Sequence, residues 1–228
     1  MTILAVTGMA REARVAAGRG VTVLIGGGNG ALLREKLEHA LEGVHGIISI
    51  GIAGGLMAKL KPGDVLIASK IVSGREEFVS DAAWSARMQE LLPHAMLAPL
   101  AGVDTIVATT HHKTALFSAT GAHAADMESH FVARVAARRG IPFAVLRTIA
   151  DAADSDLPPL VSRALGADGR VNYGAVMSSL MARPGQISAL IRTARESNAA
   201  FAALLRCRRA LGPRLAGPDG REPLLDMR

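Results

Sequence analysis

The chain has 228 residues, 50% of them hydrophobic and only 3% aromatic, with a formal net charge of +6. That length supports one sizeable core and a single α/β domain, built from Ala, Val, Leu and Ile with Met as filler. The lone Cys207 excludes an intramolecular disulfide and a cysteine-held metal. With no apolar run near the roughly 18 residues of a membrane span, and no basic lead before Thr2–Thr7, the expected location is cytoplasmic.

In chain order, Thr2–Thr7 and Val21–Ile25 predict strands, with a turn into a helical segment at Gly8-Met9-Ala10-Arg11-Glu12-Ala13. A helix is predicted from about Ala31 to Leu41, where Leu32, Leu33, Leu37 and Leu41 recur at helical spacing. Gly46 to Ile50 reads as a strand opening into Gly51-Ile52-Ala53-Gly54-Gly55. Pro62-Gly63-Asp64 is a turn before a strand at Val65–Ala68, and Asp81 can cap a helix reaching about Leu92. Val103–Ala108 is predicted as strand, His112–Ala119 as a short helix, and Glu128–Arg139 as a helix stopped by Gly140 and Pro142. Phe143–Ile149 is predicted as strand, and Ile187–Leu211 as the longest helix. Residues 1–211 are thus expected to form one domain. From Gly212 to Arg228, Pro, Gly and charge without periodicity predict a loose tail. Strands alternating with helices call for a sheet covered on both faces.

Several groups could carry chemistry. Gly26-Gly27-Gly28-Asn29-Gly30-Ala31 fits the loose dinucleotide fingerprint, but the next strand ends Ser49-Ile50-Gly51-Ile52-Ala53 without the acid a ribose needs. A tight strand-to-helix turn is the better reading. The Gly51–Gly55 turn allows close backbone approach by a ligand or an anion-binding nest, and a plain glycine turn fits equally well. His111, His112, His123 and His130 lack metal-ligand spacing, so no metal is expected. Ser129 and His130 are neighbours on a helix and diverge, which disfavours a Ser-His nucleophile. Glu12, Glu128 and Asp151 remain: three acids at the ends of core elements, where α/β proteins build sites.

Four blocks, in order, carry a resemblance: Gly8-Met9-Ala10-Arg11-Glu12; Gly51-Ile52-Ala53-Gly54-Gly55-Leu56 with Pro62-Gly63-Asp64-Val65; Asp126-Met127-Glu128; and Arg147-Thr148-Ile149-Ala150-Asp151. Over residues 2 to about 155 the chain resembles the purine nucleoside phosphorylase and methylthioadenosine/S-adenosylhomocysteine nucleosidase superfamily. In closer detail it looks like the hopanoid-associated phosphorylase branch, in which adenine is removed from adenosylhopane. The resemblance implies a three-layer sandwich with a central mixed, partly barrel-like sheet flanked by helices. It also implies a dimer or higher homo-oligomer. By resemblance Glu128 grips the ribose hydroxyls, Met127 packs against the sugar, Asp151 serves purine N7 and Glu12 orients an attacking water. Gly51, Ile52, Ala53 and Gly54 would lie beside the sugar and nucleophile. The chain departs from the pattern at Ile52, where relatives carry Ser or Thr, and at Ser49, where trimer-of-dimers phosphorylases carry Arg. It also has Ala150 where nucleosidases often have Ser.

These residues suit cleavage of an N-ribosidic bond, in which the sugar gains positive charge and the purine negative charge. Asp151 is expected to be a general acid with a raised pKa, Glu128 to stabilise the cationic sugar, and Glu12 to activate water. No cofactor is expected. Inorganic phosphate remains open as co-substrate, with Arg11 or Arg14 as its anion site, although Ser49 and Ile52 tilt the reading toward water. The expected substrate is a small or lipid-linked adenine nucleoside; a general nucleosidase and a non-catalytic nucleoside or polyprenoid carrier are the alternatives. An apolar mouth for the 5′ substituent is expected at Leu157–Val161 and Val176–Met181. Arg183, Arg192, Arg195, Arg206, Arg208 and Arg209 suggest peripheral contact with anionic lipid, whereas the scarcity of aromatic platforms argues against nucleic acid.

Overall fold

The computed structural model describes residues 2–27, 29–158 and 187–218. Among them lie eight strands and six helices. In chain order they are β1 (Thr2–Thr7), α1 (Ala10–Ala16), β2 (Val21–Ile25), α2 (Gly30–His39), β3 (Val44–Gly55), β4 (Val65–Ser73) and β5 (Glu76–Val79). Then follow α3 (Ala82–Leu91), β6 (Met96–Gly102), α4 (Thr110–Thr120), β7 (Ala124–Asp126), α5 (Ser129–Arg139), β8 (Phe143–Asp151) and α6 (Ile187–Ala210).

The strands form one mixed sheet in the order β2-β1-β3-β7-β6-β4-β5, with β8 pairing to both β3 and β4. That double pairing closes β3, β8, β4, β6 and β7 into a barrel, while β1 and β2 extend from β3 as an open parallel wing. The 12-residue β3 joins the two parts. Its first half pairs with β1, its middle with β8, and Gly54 and Gly55 with β7. Glycine suits the bend such a strand must make on leaving a flat sheet for a barrel wall. This is the three-layer, partly barrel-like architecture the sequence led us to expect.

Two apolar clusters cover the two faces. Along β1, Leu4 and Val6 enter one cluster with Leu33, Leu37, Phe131, Val132 and Val135 of α2 and α5. Ile3 and Ala5 enter the other, with Trp84 and Met88 of α3 and Phe201, Leu204 and Cys207 of α6. The period-2 alternation of β1 therefore sorts its side chains between two helical layers.

The structure departs from the expectations at three points. Val103–Ala108 is a loop; the strand is Met96–Gly102. Pro99 obscured that strand, because proline cannot donate to a ladder. It is tolerated at a slip in the β4–β6 register, between the pairs Ala68–Ala98 and Ile71–Leu100. Val103, Ile106 and Val107 are apolar because they line a cavity. Second, β5 and the three-residue β7 carry too little pattern to be read locally. Third, the tail is not loose where it begins. Leu215 is wholly buried, its carbonyl accepts from Trp84 Nε1 at 2.9 Å, and Ala216 O accepts from Arg87 Nε at 3.2 Å. Residues 219–228 lie outside the described residues.

Candidate active site

Glu12 sits in the first turn of α1, just past the end of β1, and is 3% exposed. Its Oε2 accepts from the amides of Gly8 and Met9, both at 2.8 Å, and its Oε1 accepts from Ile52 at 2.7 Å. The Met9 contact is the return half of a capping box, so local helix chemistry fixes the carboxylate. Gly51 makes room for it, since a Cβ there would stand 2.4 Å from Oε1. Burial raises the pKa of Glu12; Arg147 and the three amides pull it back. A carboxylate has about four lone-pair sites, so three amides leave one for a water.

Glu128 precedes α5 at its N-cap position but makes no side-chain cap bond. Its side chain lies over Gly8 and Gly26 instead: added Cβ atoms would come within 2.7 Å of Oε1 and 3.3 Å of Cγ respectively. Burial, then the neighbouring Asp126, pushes its pKa up to about 8 against the pull of Arg147, with Glu12 adding to the rise. Arg147 Nη2 stands 4.0 Å from Glu128 Oε2.

Arg147, wholly buried on β8, is tied down on every side. Nε donates to Asp126 Oδ2 at 2.5 Å; Nη2 donates to Ser49 Oγ at 2.6 Å and Ser129 Oγ at 3.1 Å and also meets Asp126; Nη1 donates to Leu146 O at 3.3 Å. Ser129 donates from both N and Oγ to Asp126. Ser49, where some relatives place arginine, is thus an acceptor for this arginine.

Asp151 ends β8 and is 6% exposed. Its Oδ2 accepts at 2.5 Å from Lys113 Nζ, a wholly buried lysine on α4. Burial raises the pKa of Asp151, and Lys113 opposes the rise.

The three acids line one cavity of about 1320 Å³, together with Arg11, Arg14, Ile52, Ala53, Gly54 and Met127. Ile25, Leu56, Val103, Ile106, Val107, Leu157, Leu190 and Phe201 give it apolar walls. Of the predicted site residues, only Gly51 is placed behind the wall rather than on it. The Gly51–Gly55 segment is no free anion nest, because the Ile52 amide serves Glu12. Arg11 stacks over the Phe201 ring at 3.9 Å and donates to Asn198 Oδ1 at 3.1 Å, so it clamps α1 to α6. In the glycine-rich turn, Gly30 lies against Phe131, whose ring an added Cβ would overlap at 2.1 Å. That turn serves close helix packing. Of the expected mouth, Leu157 lines the cavity, while residues 159–161 and Val176–Met181 lie outside the described residues. Among the described residues no cluster suited to a metal ion occurs.

Sequence reasoning missed Lys113 and the Asp126–Arg147–Ser129–Ser49 network. The one available cue to Lys113 is that no other Lys, Arg, Asp or Glu occurs in α4. Asp126 and Arg147 stood inside quoted blocks, but only the folded barrel brings them together.

A five-stranded barrel with an open wing, and acids at strand ends facing one cavity, defines a nucleoside phosphorylase-like α/β protein. The chain belongs to the Phosphorylase superfamily, whose sequence profile matches residues 2–164. No curated protein matches it. Among solved structures it is similar to the 5′-methylthioadenosine/S-adenosylhomocysteine nucleosidase of S. pneumoniae bound to a transition-state inhibitor. Identity there is 19% and TM-score 0.62, over 92% of this chain and 100% of that one. Futalosine hydrolase of Helicobacter pylori aligns at 19% identity and TM-score 0.60, over 79% of this chain and 98% of that one. S-adenosylhomocysteine nucleosidase of Streptococcus pyogenes aligns at 19% identity and TM-score 0.59, over 68% of this chain and 85% of that one. At these identities the likeness is one of fold.

Proposed function

We propose that this protein is an enzyme that cleaves the N-ribosidic bond of an adenine-bearing nucleoside with a large apolar 5′ substituent, adenosylhopane in the first instance, using water. One observation carries the reading: two buried acids, Glu12 and Asp151, and the half-buried Glu128 face a single cavity whose remaining walls are largely apolar. Asp151 serves the departing purine at N7. Glu128 lies under the sugar, holding its hydroxyls; in its ionised form it counters the positive charge at C1′. Glu12, held by three amides, takes the proton of the attacking water. Met127 packs against the ribose.

Water is favoured over phosphate because the cations near the acids are already engaged. Arg147 is consumed by Asp126, Ser49, Ser129 and Leu146 O, and Arg11 by Phe201 and Asn198. Ile52 offers no hydroxyl. A phosphate dianion would enter a cavity lined by acids with Arg14 as its remaining cationic partner. Adenine release measured with and without inorganic phosphate is the test. Phosphate-independent release with a free ribosyl product is expected; strict phosphate dependence with a ribose 1-phosphate product overturns the hydrolytic reading.

The volume supports the lipid part. A cavity of about 1320 Å³ exceeds the roughly 300–1,000 Å³ of common small-molecule pockets. Its apolar walls from the 103–107 loop, Leu157 and α6 suit a hydrocarbon rather than a second polar group.

A further inference from the structure

We propose that Lys113 is the proton reservoir for the departing base, acting through Asp151 as a positioning and proton-supplying residue. The inference rests on the N-ribosidic cleavage proposed above. Lys113 Nζ donates to Asp151 Oδ2 at 2.5 Å, to Ala152 O at 2.7 Å and to Ser155 O at 2.8 Å. A neutral amine has two N–H bonds; three acceptors require the three of an ammonium. The resting pair is therefore Lys113 ammonium with Asp151 carboxylate, and a carboxylate has no proton to give N7. The missing proton lies one hydrogen bond behind it.

The C1′–N9 bond breaks and its electron pair passes to the purine. Oδ2 takes a proton from Nζ and Asp151, now a carboxylic acid, passes it on to N7, which leaves Asp151 a carboxylate again and Lys113 a neutral amine. Water adds to C1′ and gives its proton to Glu12. Return of that proton from Glu12 to Lys113 through solvent resets the site. Burial aids the transfer, since it makes Asp151 more basic than an exposed carboxylate. The other charges around the pair are Glu196 and Arg192 of α6 and Asp154 and Asp156 of the segment after β8. Asp156 is engaged by the Thr110 amide at 2.6 Å, and Arg192 lies 3.9 Å from Glu196.

A purely structural staple would look the same in the resting protein, so the test varies the leaving group. Lys113→Met is compared with the unsubstituted protein on a 5′-alkyl adenosine and on the same compound methylated at N7, whose base leaves neutral without a proton. Both rates are taken on one preparation, so their ratio does not depend on how much of the variant folds. The expected result is a loss of about 10²-fold or more with the adenosine, the scale of one lost acid–base group, and a loss under about 5-fold with the N7-methyl compound. Equal losses on both substrates overturn the proposal, as does failure of the unsubstituted protein to cleave the N7-methyl compound. If the unsubstituted protein releases no adenine from any adenosyl substrate, the cleavage reading itself falls and the proposal with it.

Discussion

At the scale of single residues, Glu128 makes the sharpest statement about pH. Its ordinary pKa is 4.5, and in the fold it keeps its proton to about 8, chiefly through burial and the Asp126 charge. The folded chain thus holds a proton that the unfolded chain has lost between those values. Stability contributed by this group is complete below the unfolded pKa and is lost as pH rises through the folded one, at up to about 1.4 kcal/mol per pH unit. Glu12 and Asp151 are raised in the same direction. Glu128→Gln removes the part of this dependence that Glu128 carries. Its melting temperature should lie close to that of the unsubstituted protein at pH 5 and above it at pH 9. Melting curves at pH 5, 7 and 9 check this; parallel profiles would show that Glu128 is ionised in the fold. The same variant should lose turnover, because an amide, unlike Glu128, has no ionised form to answer the charge of the sugar cation.

At the scale of elements, what the sequence made legible depended on whether local rules decided the outcome. Asp81 caps α3 through a 2.7 Å bond from the Trp84 amide, as its position before an apolar helix implied. Asp151 stands out as an acid at the end of a strongly apolar run, and Glu12 only in company with Glu128 and Asp151 and through the resemblance. Lys113 does not, because a lysine on a helix is ordinarily solvated, and its burial depends on the 151–155 segment folding over α4. Val103–Ala108 was misread because cavity walls and strands use the same residue types. The sequence leaves the Gly51–Gly55 segment open between ligand approach and a plain turn, yet Gly51, like Gly8, makes room for a carboxylate. Gly51→Ala would place a Cβ 2.4 Å from Glu12 Oε1, whereas Gly54→Ala would place one 3.4 Å from Asp151 Oδ2, an ordinary contact. Gly51→Ala should reduce kcat by about 10²-fold, the usual effect of shifting a reacting group by an ångström. Gly54→Ala should leave kcat close to its starting value. Similar kcat values for the two variants would mean that the position of Glu12 is not critical.

At the scale of the whole molecule, α6 joins the site to the surface. Leu190, Thr193, Ala194, Ser197 and Phe201 line the cavity from one side of the helix. Ile191, Arg195, Ala202, Leu205 and Arg209 are exposed and recur at helical spacing on another side, with Arg206 beside them. Arg208 faces inward, where it donates to Ala16 O at 3.1 Å and Ala17 O at 3.2 Å, so it cannot be counted with the surface charges. No helix among the described residues is long and apolar enough to cross a membrane. On the lipid-linked reading proposed above, this face of mixed basic and apolar residues would rest on anionic lipid while the nucleoside enters the cavity. Each exposed arginine near such a surface contributes about 1 kcal/mol, so contact should weaken in high salt. Flotation with anionic liposomes should recover the protein at low salt and lose it at high salt, and reversing Arg195, Arg206 and Arg209 to Glu should abolish recovery. The cavity is tested separately. Each methylene seated against apolar walls is worth about 0.8 kcal/mol, so a 5′-octyl adenosine should exceed adenosine in kcat/KM by about 10²-fold or more. Adenosine cleaved as efficiently as the octyl compound would leave a general nucleosidase as the better description of the site.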